Sequence, residues 1–169
     1  GALTGLASGF HDFDQMTAGL QPSDLIILAA RPSVGKTSLV LNIAESAALS
    51  GTPVGVFSLE MSSEQIAERI LCSQARVNLK HLRSGFFTKR DAAQLLQTAS
   101  RIHNIPLYID DTPNLTPTEV FSRSRRLKSQ QPNLGLLIID YLQLMSGGGR
   151  IESRQQEVSE ISRSLKILA

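Results

Sequence analysis

Apolar positions fall into two kinds of segment along the chain. Four short runs are almost wholly apolar, without the every-second-residue alternation of a half-exposed strand. They are LIILAA (25–30), VGVFSL (54–59), PLYID (106–110) and LGLLIID (134–140). Such runs predict β-strands covered on both faces. Helix-like stretches separate them, and several carry start signals: Ser62 with Gln65, Thr116 with Glu119 and Pro117, and Ser153 with Gln156. Each sets a capping hydroxyl three residues ahead of a side chain that can return the bond. Strand and helix in alternation predict an α/β fold, a mostly parallel sheet flanked by helices. Ligands of such sheets bind at the carboxyl ends of strands, where candidate chemistry is sought first.

The first apolar run leads into ARPSVGKT, residues 30–37. This matches the phosphate-loop pattern G-x-x-x-x-G-K-T/S except at its first glycine, where Ala30 stands. The spacing follows from the chemistry. A tight loop turns successive backbone N–H groups inward to make an anion site. Gly35 lets the backbone approach a phosphate, Lys36 brings a positive charge to the outer phosphates, and Thr37 offers a hydroxyl to Mg²⁺. The following helix aims its N-terminus at the same anion. Asp140 closes the strand LLIID, where a carboxylate can hold Mg²⁺ through its water shell. Glu60 closes VFSLE, placed to activate water for attack on a γ-phosphate. The bland alternative for Glu60 is an exposed carboxylate near a helix start.

Composition adds bounds. The chain has 169 residues, 41% hydrophobic and 19% charged, enough for one domain with an ample core. A net charge of +2 is too small to argue for nucleic acid by itself. The single cysteine, Cys72, excludes an intramolecular disulfide and a cysteine-rich zinc site, and reads as a small buried residue on a helix. No apolar run approaches the roughly 18 residues of a membrane span and no signal peptide opens the chain, so a cytoplasmic protein is expected.

Beyond single motifs, the sequence resembles the DnaB-type replicative DNA helicases, in their C-terminal RecA-like motor domain. TGLASGFHDFDQMTAGLQPSDL, AARPSVGKTS, FSLEMS, LTPTEV, IIDYLQLM and RQQEVSEISRSLKILA match that family in order and spacing, across essentially the whole chain. Ala30 is itself typical of the family's phosphate loop. The resemblance implies a RecA-like P-loop NTPase core over residues 1–169, with 1–24 as a lead-in segment. It implies an ATP-dependent motor using ATP and Mg²⁺, working as a homo-hexamer around single-stranded DNA, with primase and a helicase loader as partners. By position, Ser33, Val34, Gly35, Lys36, Thr37 and Ser38 would hold nucleotide. Thr37 and Asp140 would serve the metal, while Glu60 and Lys36 would be catalytic. Arg69 matches an arginine of the family's nucleotide pocket, although read without the family it equally fits a solvated helix position. Both ends read as cut: Gly1 is not an initiator methionine, and the amphipathic run to Ala169 has no cap. The family continues past that point with a further strand, DNA-contacting loops and an arginine finger.

Other features point less sharply. RSRRLK (123–128) reads as a solvated helix face or a phosphate contact, and SGGGRIESR (146–154) as a surface loop whose Arg150 and Arg154 could approach DNA. His11, Asp12 and Asp14 lie among Phe10 and Phe13 in what reads as a packed turn, not a metal site. His81 and His103 have no nucleophile partner. Two other functions fit the bare motifs: a RecA-like recombination or clock ATPase, and an interaction module that binds nucleotide without unwinding.

Overall fold

The structure, a computed structural model, describes residues 2–31, 33–142 and 154–169. Its centre is a parallel three-stranded sheet: β1 (Val54–Ser58) in the middle, β2 (Leu107–Asp110) on one side and β3 (Leu136–Asp140) on the other. Val54 pairs with both Leu107 and Leu136, and Ser58 pairs with Asp140. The helices are α1 (His11–Thr17), α2 (Lys36–Leu49), α3 (Ser63–Ala75), α4 (Leu79–Ser84), α5 (Lys89–Ile102), α6 (Pro117–Gln130) and α7 (Arg154–Leu168). The expected α/β architecture, a parallel sheet flanked by helices, is present.

The apolar runs follow from cover on both faces of the sheet. Ala44, Ala47 and Ala48 of α2 pack with Val54 and Val56 on one face. Phe57 packs on the other, against Leu115, Val120 of α6, and Ile161 and Leu165 of α7. A third group joins Leu41 of α2 to Ile66 and Ile70 of α3. Gly55 has a packing reason: an added Cβ would lie 2.7 Å from Leu137 Cδ2 and 2.8 Å from Leu127 Cδ2, so side chains of β3 and α6 fill its space. Every residue of β1 is buried.

One predicted strand is not formed. Residues 25–30 carry no regular secondary structure and stand outside the sheet. Leu25 packs against the α6–α7 side of the core, but Ile26, Ile27 and Leu28 are 53%, 66% and 43% exposed. The reason is pairing: no described strand lies beside this run, and apolar character alone does not make a ladder.

Around this core the local signals act as read. Ser62 and Gln65 form a reciprocal capping box on α3, and the Thr116 hydroxyl accepts from the Glu119 N–H with Pro117 in the first turn of α6. Thr88 and Asp91 form a second box on α5 that sequence reading passed over. Ser153 and Arg150 lie outside the described residues, as does the side chain of Arg154. The segment expected as a packed turn is instead the short helix α1, with Phe10 40% and Phe13 43% exposed. Asp14 is the buried residue there. It accepts from the Ser8 hydroxyl at 2.7 Å and the Ser8 N–H at 3.0 Å. Those bonds hold its carboxyl below the ordinary aspartate range, against the opposing effect of burial. Cys72 is buried in α3. Among the described residues no group of three His, Cys, Asp or Glu is placed to hold a metal. Nor is any described helix long and apolar enough to cross a membrane.

Candidate nucleotide site

The phosphate-loop residues lead directly into α2. Ser33 and Gly35 have left-handed backbones, with φ of 66° and 89°. Alternating such residues with right-handed ones turns neighbouring N–H groups toward one concave side. A Cβ on Gly35 would meet no described atom within 4 Å, so it is the left-handed angle that calls for glycine here. Gly35 is also the N-cap of α2, and no side chain caps that end. The start of α1 likewise has no side-chain cap, whereas α3, α4, α5 and α6 each have one. The uncapped N–H groups and the helix dipole therefore face the loop unshielded.

The sheet brings Asp140 to this loop across a wide sequence gap. The Thr37 hydroxyl donates to Asp140 Oδ2 at 3.0 Å, and Lys36 Nζ lies 3.7 Å from Asp140 Oδ1. Asp140 is 6% exposed, so this charge pairs in a partly dry environment. Lys36 also lies 3.9 Å from the ring centroid of Tyr141, a cation–π contact that sequence reading missed. The peptide bond between Asp140 and Tyr141 is cis.

Glu60 emerges at the same end of the sheet, just past the carboxyl end of β1. Ser58 is the register partner of Asp140, and the Leu59 N–H donates to the Asp140 carbonyl at 2.8 Å. Neighbouring strands are about 4.8 Å apart, so Glu60 leaves the sheet next to the loop-facing carboxylate. It is exposed. Arg69, half-buried on α3, has Nη1 3.5 Å from the Ser38 hydroxyl. Ser38 and Arg69 border a cleft of about 320 Å³ between α2 and α3 that also takes in Asn42 and Glu45. Val34 is 65% exposed on the outside of the loop. The structure thus brings Lys36, Thr37 and Asp140 into direct contact, Ser38 up to Arg69, and Glu60 to the adjoining strand end. A hydroxyl and a carboxylate are hard oxygen donors suited to Mg²⁺, and the loop cation with the free helix N-terminus suits a phosphate chain.

The arginine-rich stretch of α6 divides. Arg123 Nη1 donates to Asp110 Oδ2 at 2.7 Å and to the Thr112 hydroxyl at 2.8 Å, while Arg125 and Arg126 are exposed. Burial pushes the Asp110 carboxyl up, but the bonds from Arg123 and Thr112 outweigh it and leave it below the ordinary range. Lys128 donates to the carbonyl of Pro132 at 2.6 Å.

Comparison with known proteins gives a matching family and fold. The family described as "DnaB-like helicase C terminal domain" matches residues 5–169. The chain is 50% identical over its full length to the replicative DNA helicase DnaB of Geobacillus stearothermophilus, and likewise to that of Leifsonia xyli. It spans 37% of the length of each of these relatives. Among solved structures, a DnaB-like replicative helicase described with its interactions with primase superposes with a TM-score of 0.93 at 30% identity. That alignment covers 99% of this chain and 41% of the other.

Proposed function

The chain belongs to the DnaB-like helicase C-terminal domain family, and we propose that it is the ATP-hydrolysing core of a replicative DNA helicase motor. The observation that carries this reading is the convergence of Lys36 and Thr37 on Asp140. In this reading the backbone of Ser33 to Gly35 cradles the phosphates, with Val34 at the loop's outer turn and Ser38 extending the cradle along α2. Lys36 faces the outer phosphates, and Thr37 and Asp140 hold Mg²⁺. Arg69 closes the nucleotide pocket from α3. Bound ATP supplies the phosphoanhydride whose cleavage drives the motor. Glu60 takes the proton of the attacking water. Single-stranded DNA, a homo-hexameric ring, primase and a helicase loader are the partners we assign to the full-length protein, and the cytoplasm its location.

Two substitutions in the full-length protein test the assignment. Lys36→Ala removes a charged phosphate contact and is expected to weaken ATP binding roughly ten- to a hundredfold. Glu60→Gln keeps the shape and one acceptor but cannot take a proton. Binding of a non-hydrolysable ATP analogue should survive while turnover falls by about 10² to 10⁴. Wild-type affinity and turnover in Lys36→Ala would remove the loop from the nucleotide site. Equal losses of affinity and turnover in Glu60→Gln would make Glu60 a binding residue.

A further inference from the structure

The Glu60 carboxylate makes no hydrogen bond or ion pair with any described residue, yet a base must point at one water. Its direction therefore has to come from the backbone on either side, and that backbone is tied at three places. The Ser58 hydroxyl donates to the Met61 carbonyl at 2.7 Å and accepts from the Met61 N–H at 3.2 Å, closing the turn 58–61 with Glu60 inside it. The Leu59 N–H is fixed to the Asp140 carbonyl at 2.8 Å. Past the turn, the Ser63 N–H donates to Asp111 Oδ2 at 2.8 Å, pinning the start of α3 to the end of β2. Residues 59, 61 and 63 are thus all held, and Glu60 projects from between them.

Ser58 is 2% exposed at the last position of β1, where an apolar residue would satisfy the core equally well. A hydroxyl there is explained by the turn. Left unbonded, the Met61 N–H and C=O would have water as an alternative partner, and the turn would lose its single shape. We propose that Ser58 and Asp111 are positioning residues that fix the Glu60 turn and so aim its carboxylate. This inference rests on the reading of Glu60 as the base.

The test is a double-mutant cycle on the full-length protein, reading single-turnover ATP hydrolysis beside affinity for a non-hydrolysable analogue. Ser58→Ala is expected to lower hydrolysis at least tenfold with affinity within about twofold, since small misplacement of a reacting group is costly. Ser58→Thr, which keeps the hydroxyl, should recover most of that loss. In a Glu60→Gln background Ser58→Ala should add less than about twofold, because there is no base left to aim. Should Ser58→Ala fail to fold, Asp111→Ala, at an exposed carboxylate, carries the same cycle with the same expectation. Wild-type hydrolysis in both Ser58→Ala and Asp111→Ala, beside a crippled Glu60→Gln, overturns the inference and leaves the base assignment standing. So does an equal loss in the presence and absence of Glu60. Wild-type turnover in Glu60→Gln overturns the base assignment, and the inference with it.

Discussion

Glu45 sits on the face of α2 turned toward α3, 5% exposed, with the amide of Gln74 bonded to its carboxylate. Burial pushes this carboxyl above the ordinary glutamate range, and the Gln74 bond only partly opposes it. The sign of the consequence follows from linkage. A raised folded-state pKa contributes stability below the unfolded value, and that stability is lost as pH rises through the folded value. Glu45→Gln removes the charge and keeps an acceptor for Gln74. It should therefore melt above the wild type at neutral pH, with the gap closing as the pH falls through the glutamate range. Thermal melts across pH 4 to 8 give the check, and a gap independent of pH would place its cause outside this titration. No sequence pattern announced Glu45, because a lone acid in an alanine-rich helix reads as solvent-facing. Lys36 and Thr37 stood out by the fixed spacing of a phosphate-loop pattern, and Asp140 as the acid that closes an apolar strand. Tyr141, Ser58 and Asp111 did not, since their roles depend on which strand ends lie side by side.

Helices and strands differ in how far they reveal themselves. The Thr116 hydroxyl bonds the Glu119 N–H at 3.3 Å, a contact three residues long that sequence alone specifies. Losing such a cap costs about 1 kcal/mol, which in a chain of this size lowers the melting temperature by roughly 2–4 °C. Thr116→Ala should show that loss, with Thr116→Asn recovering most of it; an unchanged melting temperature would mean water replaces the cap. Strands carry no such self-contained signal. VGVFSL and LGLLIID became β1 and β3 because each has a neighbour, whereas the equally apolar 25–30 has none among the described strands. The apolar pattern was right about burial for β1, was not met at 25–30, and was silent about partners.

For the molecule as a whole, that run is an exposed apolar feature lying directly before the Gly-Lys-Thr loop. Ile26, Ile27 and Leu28 form a contiguous strip whose backbone has no ladder, which favours association with other chains. The 169-residue chain is therefore expected to self-associate in a concentration-dependent way, and Ile27→Lys to reduce this in sedimentation velocity. Unchanged association in that variant would point to another surface.

The Thr37–Asp140 bond joins residues 103 positions apart, across both parallel crossovers. Closing a loop of that length brings no reward until β1, β2 and β3 have found their register, and non-local parallel pairings form slowly. The Thr37–Asp140 contact, and with it the proposed nucleotide site, is thus expected to form late in folding. In refolding from denaturant, binding of a fluorescent ATP analogue should never run ahead of the sheet's far-ultraviolet circular dichroism. On the proposed function, a partly folded polypeptide does not hold ATP in its finished site before Asp140 has reached the loop.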